Sequence, residues 1–227
     1  MRRIDKMLLD IEVQRDFFAT GGSCYTPANA EAARNIRKLF GWARRDRLPV
    51  MSTVIRCKSD RRGPLAPVPH CIEGTEGEKR ISGTLLPRHI DLGIRNITDL
   101  PVDLFDSYQQ VIIERRFTDI FQHARAERLL TEISFDTFIV CGAGSARGIV
   151  EAVVGLRTRG FKVVLAADAI VDLDDPRAEM AWLRMLAKGA VPLSTDEIIS
   201  TMSAPPKPSR LAPMRPTAPP VNTGSRS

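Results

Sequence analysis

The stretch Phe138–Gly160, FIVCGAGSARGIVEAVVGLRTRG, decides the fold. It opens with a short apolar run that ends at Cys141, and apolar residues return at helical spacing from Ile149 onward. The small residues between them predict a strand, a tight turn and a helix. In a parallel sheet such a turn lies at the carboxyl end of the strands, where the helix presents unpaired backbone N–H groups. A nucleophile or a bound anion is expected there.

The rest of the chain continues this alternation of strand and helix. The apolar patterns predict strands at 6–13, 49–56, 110–114, 138–141, 161–167 and 190–195, and helices at 28–45, 124–133, 176–189 and from the central turn to Gly160. This order predicts right-handed βαβ units and an α/β fold whose parallel sheet is covered on both faces. The long connection 57–109 is expected to form a lid or pocket wall, and residues 196–199 a turn.

Length and composition predict one globular domain, residues 1–203, and a Pro-rich basic tail, residues 204–227. The tail contains seven prolines and is expected to be disordered. It holds four of the 33 Lys and Arg residues and none of the 27 Asp and Glu residues, so most of the net charge of +6 belongs to it. Because the domain itself is nearly neutral and poor in aromatic residues, a nucleic-acid partner is not expected.

The sequence contains no apolar run of the roughly 18 residues that a membrane span needs, so no membrane partner is expected. The N-terminal segment acquires acidic residues too early for a secretory signal, and a cytoplasmic location is therefore expected. The cysteines lack C-x-x-C spacing and are expected to be reduced thiols, neither zinc ligands nor disulfides: Cys24, Cys57, Cys71 and Cys141.

Two acidic residues, Asp10 and Glu12, interrupt the apolar run of the first strand. Because side chains alternate along a strand, both are expected on one face. An unpaired buried carboxylate is costly, so at least one of them is expected to face a polar pocket. A solvated edge strand is the alternative interpretation.

Several motifs occur in a characteristic order along residues 4–200. They are Gln14-Arg15-Asp16-Phe17, Gly21-Gly22-Ser23, His70-Cys71-Ile72-Glu73-Gly74-Thr75-Glu76-Gly77, the ERRFTDIF segment after the third strand, Val140-Cys141-Gly142, Arg159-Gly160-Phe161 and Asp168-Ala169. Together they resemble the isochorismatase-like hydrolases, the family of nicotinamidases, carbamoylsarcosine-type amidohydrolases and isochorismatases. The resemblance implies a three-layer α/β/α fold with a six-stranded parallel sheet.

The family's usual chemistry needs an Asp after the first strand, a Lys after the third and a Cys at the helix start after the fourth. Carried over by position, these three catalytic positions fall on Glu12, Glu114 and Gly148, with Arg115 in the Lys position if the alignment slips by one residue. Glu114 beside Glu12 would form a like-charged pair whose repulsion raises the pKa of one carboxyl. Gly148 cannot be a nucleophile, so the thioester route is closed unless another thiol takes over.

The resemblance also implies ligand contacts around these three positions. The expected substrate-binding residues are Phe17, Arg115, Arg116, Ala143, Gly144 and Ser145. Nicotinamidases hold a metal with an Asp and histidines, whereas the second strand here ends in residues 53–57 and leaves His70 as the one plausible ligand. One histidine does not make a zinc site, so no metal or other cofactor is expected.

Three functions follow from these substitutions. The first, which the joint loss of thiol, lysine and metal ligands favours, is a catalytically inactive member with a binding or scaffold role. The second is an isochorismatase-type hydrolase that needs no thiol, in which Glu12 protonates a vinyl ether and Arg115 or Arg116 holds substrate carboxylates. The third is an amidohydrolase with a relocated cysteine. The resemblance further implies a homo-oligomer, so the expected partners are a small-molecule ligand and further copies of the chain.

Overall fold

A single parallel sheet organises the structure. The computed structural model of the chain describes residues 4–58, 68–132 and 135–203. Within these ranges the strands are β1 (Ile4–Ile11), β2 (Val50–Val54), β3 (His89–Asp91), β4 (Gln110–Glu114), β5 (Phe135–Ala143), β6 (Lys162–Val171) and β7 (Val191–Leu193). All neighbouring strands are parallel, in the order β3-β4-β2-β1-β5-β6-β7. The predicted α/β fold is confirmed.

Helices cover both faces of the sheet. They are α1 (Arg15–Phe18), α2 (Asn29–Asp46), α3 (Leu104–Ser107), α4 (Ala124–Glu132), α5 (Val150–Thr158), α6 (Ala178–Ala187) and α7 (Thr195–Met202). Helices α2 and α7 contribute to the hydrophobic core on one face, and α4, α5 and α6 contribute to the core on the other. None of the helices in the described ranges is long and apolar enough to span a membrane.

The central strand β1 shows how the sequence produces these layers. Met7, Leu9 and Ile11 belong to one core and Leu8 to the other, and all four side chains are fully buried. A strand buried on both faces needs apolar residues at nearly every position, in contrast to the alternating pattern of a half-exposed strand. This continuous run therefore places the end of β1 in the middle of the molecule.

Two predictions about the chain were wrong. The sheet has a seventh strand, β3, a short edge strand within the long connection. Residues 196–199 are part of α7 and not a turn, because Ser194 and Glu197 form a reciprocal capping box. The backbone N–H of Ser194 donates to Glu197 Oε2 at 2.8 Å, and the backbone N–H of Glu197 donates to Ser194 Oγ at 3.3 Å. Such S-x-x-E spacing is a helix-start signal.

The long connection is fastened to the end of β1. Asp16 accepts a hydrogen bond from the backbone N–H of Cys71 at 2.6 Å and another from that of Ser23 at 3.0 Å. The Gln14 amide donates to the carbonyls of Ile55 and Glu78. Residues 71–78 of the connection are therefore held against the end of the first strand, and the lid or pocket wall expected for residues 57–109 stays a prediction. Residues 59–67 and the tail, 204–227, lie outside the described residues, so the disordered tail stays a prediction.

Candidate functional site

The candidate site lies at the carboxyl ends of β1, β2, β4 and β5, and it begins with Glu12. This residue has a left-handed backbone, with a φ of 48°, so the alternation of β1 does not extend to it. Asp10, still within the strand, instead pairs with Ser52 and with Arg80 Nη2, the latter at 2.8 Å. Burial raises the pKa of Asp10. The two acids share no partner, and the prediction that they share one face was wrong.

The Glu12 carboxylate is fully buried, and both of its oxygens accept hydrogen bonds. Thr53 Oγ1 donates to its Oε1 at 2.7 Å, and Arg115 Nε and Nη2 donate to Oε1 and Oε2. The remaining guanidinium nitrogen of Arg115 donates to the carbonyls of Phe117, at 2.8 Å, and Thr118. Since Arg115 is 3% exposed, the two residues form a buried bidentate ion pair.

Gly148 lies directly against this ion pair. It belongs to the single turn of π-helix, Ser145–Ile149, that leads into α5. A Cβ built at Gly148 would lie 3.1 Å from Arg115 Cζ and 3.2 Å from Ile11 Cγ2, and would overlap Arg115 Nη2. The guanidinium therefore occupies the space that a side chain at position 148 would need, including that of a cysteine.

Glu114 does not face Glu12. Its carboxylate accepts from Arg56 Nη1, on the other side of the strand end. Successive residues of a strand project to opposite sides, so only one of residues 114 and 115 can reach Glu12. That residue is Arg115, and the predicted like-charged pair was wrong. Arg115 is thus the residue after β4 that contacts Glu12.

Of the other predicted ligand residues, four are buried near the end of β5 or in α1, and one, Arg116, is exposed. Phe17 and Ser145 are fully buried, and the Phe17 ring centroid lies 5.3 Å from that of His70. The backbone N–H of Gly144 donates to the Val171 carbonyl at 2.9 Å, which fixes the end of β5 beside β6. Ala143 and Gly144 are buried at this end of β5.

Arg116 lies apart from these residues. Its side chain is exposed, and it lines a cavity of about 40 Å³ together with Phe117, His123 and other residues, of which Glu12 is not one. The donors of Arg115 are engaged by Glu12 and by carbonyls. Neither arginine therefore occupies the position expected for holding a substrate carboxylate beside Glu12.

The four thiols are free and at least partly buried. Burial raises the pKa of Cys24, Cys57, Cys71 and Cys141, whereas a nucleophilic cysteine needs a lowered pKa. Cys71 and Cys141 are also completely buried. In all four thiols the shift of the pKa is thus opposite to that of an activated nucleophile.

The residues present do not fit the metal of nicotinamidases. His70 is fully buried, its Nδ1 lies 2.8 Å from the Val68 carbonyl, and burial lowers its pKa. Among the described residues no group of three or more His, Cys, Asp or Glu side chains could hold a metal ion.

Sequence reasoning missed Thr53, which holds Glu12 in place. The signal was available in the parallel register, because Thr53 lies opposite Ile11 at the ends of adjacent strands. It also missed the ion pair between Arg147 Nε and Asp175 Oδ2, at 3.1 Å. Arg147 belongs to the turn Ser145–Ile149 that also contains Gly148. Hydrogen bonds from Arg177, and the charge of Arg147, hold the pKa of Asp175 below its usual range.

Residues 98–197 match the family model of the isochorismatase domain. This segment is therefore similar to isochorismatase domains. The resemblance carried by the sequence motifs is thereby confirmed. A comparison with curated proteins finds no match to this chain.

Solved structures with similar folds align over most of this chain. N-carbamoylsarcosine amidase from Thermoplasma acidophilum is 18% identical and aligns over 86% of this chain and 98% of its own, with a TM-score of 0.61. Nicotinamidase from Bacillus subtilis is 20% identical over 84% and 99%, with a TM-score of 0.64. MAR1 ribonuclease from Caenorhabditis elegans is 14% identical over 88% and 81%, with a TM-score of 0.57. At these identities the likeness concerns the fold alone.

Proposed function

We propose that this chain is a catalytically inactive isochorismatase-like protein with a binding or scaffold role. One observation carries the proposal: the Arg115 guanidinium pairs with Glu12 and at the same time fills the space beside Gly148. The positions of the family's acid, lysine and thiol are thus taken up by one internal ion pair and a glycine. No group at these positions is left to attack a substrate.

The energetics of a buried ion pair support this proposal. Removing one partner of such a pair typically costs about 3–5 kcal/mol, because the other charge is left buried without compensation. Moving Arg115 aside to admit a substrate would incur a cost of this kind. Total stabilities of domains are about 5–15 kcal/mol, so the cost is large for a step in a catalytic cycle.

The second candidate is an isochorismatase-type hydrolase with Glu12 as general acid. It is favoured by the acid retained at the end of β1, next to Gly148. A general acid must carry a proton and contact the substrate. The oxygens of Glu12 instead accept hydrogen bonds from Thr53 and Arg115, an arrangement that suits a carboxylate. These contacts support the inactive member over the hydrolase.

Turnover assays separate the two candidates. We expect the purified full chain to show no hydrolysis of isochorismate, nicotinamide or N-carbamoylsarcosine above a protein-free background, with products measured by liquid chromatography. Hydrolysis that Glu12→Gln abolishes would overturn the proposal. Asp99→Asn is the matched control, since Asp99 pairs with Arg125 outside the site.

A double-mutant cycle tests the ion pair itself. Glu12→Gln and Arg115→Met should each lower the free energy of unfolding by about 3–5 kcal/mol, and the double variant by much less than the sum. Urea denaturation measures all three values. The exposed pair Arg128–Glu132 provides the control, since Arg128→Ala should cost less than about 0.5 kcal/mol. Single losses as small as this control would contradict a tightly held pair at the site.

A further inference from the structure

A small pocket lies between the end of β4 and the start of α4. It holds about 40 Å³ and is lined by residues of the segment 114–123 and by Ile94 and Asn96. Asn96 ties the two parts of the chain together: its Nδ2 donates to the Gln122 carbonyl at 3.0 Å, and its Oδ1 accepts from the backbone N–H of Ala124 at 2.6 Å. Hydrogen bonds therefore fix the walls of the pocket.

His123 lines this pocket with an imidazole whose hydrogen-bonding groups are unused. The residue is 6% exposed, and neither of its ring nitrogens has a hydrogen-bond partner among the described residues. Its backbone is fixed, because its N–H donates to the Ile120 carbonyl at 3.1 Å and its carbonyl accepts from the N–H of Glu127 at 2.9 Å. Buried polar groups are nearly always hydrogen-bonded, so an imidazole held in this way indicates a partner that enters the pocket.

The charges around His123 favour an anion as that partner. With the exception of Arg116, each charged residue that lines the pocket is held by another group: Glu114 by Arg56, Arg115 by Glu12, and Asp119 by the backbone N–H of Phe121. Arg116 is exposed and forms no ion pair within the residues that the structure describes. The charge that acts on the His123 ring is that of Arg125, which also pairs with Asp99. An anion would therefore meet an uncommitted guanidinium and a positive potential at the buried ring.

We infer that this pocket, which we call the Arg116–His123 pocket, binds the carboxylate group of a small organic acid. One water molecule needs about 10–15 Å³, so 40 Å³ suits about three or four atoms, the size of a carboxylate and the carbon that bears it. The ring N–H of His123 donates to one carboxylate oxygen, and the Arg116 guanidinium binds the other. Phe117 also lines the pocket and is 55% exposed, so its ring can pack against an apolar body of the same acid.

The Arg116–His123 pocket is separate from the candidate site. Arg115 contributes to both, but its donors are taken by Glu12 and by the carbonyls of Phe117 and Thr118. Glu12 does not line the pocket. The carboxylate site therefore goes beyond the proposed function, because it stands whether or not Glu12 reacts, and the turnover assays do not test it.

The test is an NMR titration of the full chain with sodium acetate at constant ionic strength. The chain has three histidines, so His123→Leu assigns the ring signals of His123. Acetate should shift these signals with a dissociation constant of about 1–10 mM, an affinity within reach of its four non-hydrogen atoms. It should also raise the pKa of His123, because a carboxylate stabilises the imidazolium. Phenylacetate should bind at least about 3-fold more tightly than acetate, since its ring packs on Phe117.

Four variants assign these effects to residues, with the backbone amide signals of residues 116–124 as the measure of binding. Arg116→Gln and His123→Leu should each raise the dissociation constant of acetate at least about 10-fold, because each removes a hydrogen bond to a charged group. Phe117→Ala should abolish the advantage of phenylacetate and leave acetate binding unchanged. Arg44→Gln is the matched control, at an exposed residue of α2 on the opposite face of the sheet, and should bind acetate as the wild type does. Circular dichroism checks that each variant is folded.

Four outcomes would overturn the inference. The absence of any shift at about 100 mM acetate would leave water as the occupant of the pocket. Equal shifts with acetamide, a neutral molecule of the same shape, would show that the pocket does not recognise charge. Tighter binding of inorganic phosphate than of acetate would assign the pocket to a tetrahedral anion. Unchanged acetate binding in the folded Arg116→Gln variant would place the binding site elsewhere.

Discussion

At the scale of single residues, Arg115 determines the chemistry of the site. A guanidinium is planar and offers parallel donors, so it binds Glu12 through two hydrogen bonds, which a lysine ammonium could not do in the same way. Its extra bulk needs the space that Gly148 leaves open. The glycine and the arginine are therefore physically coupled, and a side chain at 148 would have to displace the guanidinium.

This coupling gives a prediction for Gly148→Ala. The added methyl group should lower the free energy of unfolding by about 1–3 kcal/mol, because it overpacks against Arg115 and Ile11. Gly41→Ala is the matched control: a Cβ there meets no atom within 4 Å, and the substitution inside α2 should stabilise by about 0.5–1 kcal/mol. Urea denaturation compares them, and a gain at both positions would refute the overpacking.

A second residue-scale prediction concerns pH and His123. Its ring nitrogens are buried and have no hydrogen-bond partner in the described ranges. Burial, with the nearby charge of Arg125, lowers the pKa of His123 below its ordinary value of 6.5. Below pH 6.5 His123 is therefore protonated in the unfolded chain while it is still neutral in the folded chain. The free energy of unfolding then falls as the pH decreases from 6.5 towards the pKa of the folded state.

His123→Leu should reduce this dependence. The melting temperature of the wild type should fall from pH 7.5 to pH 5.5, and the variant should show a smaller fall. The wild type and the variant should differ in the pH dependence of the free energy of unfolding by at most about 1.4 kcal/mol per pH unit, because one proton is involved. At pH 7.5 the variant itself serves as a control, because no hydrogen bond within the described structure is lost. An unchanged pH dependence would assign the effect to other groups.

At the scale of elements, the long apolar segments were predicted well because their patterns are local. The strand Gln110–Glu114 was predicted with its exact bounds, and α2 and α4 to within one residue at each end. The edge strand β3 was not predicted, because three residues carry too little pattern. Its strand character comes from pairing with β4, a contact distant in sequence.

Helix α7 was missed although its start signal is in the sequence. Ser194→Ala removes the cap and should lower the free energy of unfolding by about 1 kcal/mol. Ser200→Ala within the same helix is the control and should be neutral or stabilising by a few tenths of a kcal/mol, since alanine favours helix interiors. Thermal denaturation of both variants measures the difference. Equal effects would show that the capping box contributes nothing measurable.

At the scale of the whole molecule, the boundary after Ser203 can be tested directly. A chain that stops there should keep the wild-type melting temperature to within about 2 °C, because a segment rich in proline and charge buries little apolar surface. Differential scanning calorimetry at matched protein concentration measures this. A loss of more than about 5 °C would show that residues 204–227 pack on the domain and would contradict the predicted division.

The sequence alone determined the alternation of strands and helices and the family resemblance, and it singled out Glu12 and Gly148 as candidate site residues. These conclusions depend on local periodicity and on motif order, which a single chain displays. Only the tertiary structure decided that Arg115, and not Glu114, meets Glu12. The reason is physical: the side on which a residue projects at a strand end depends on the local backbone, so a shift of one residue exchanges a repulsive carboxylate for a buried ion pair.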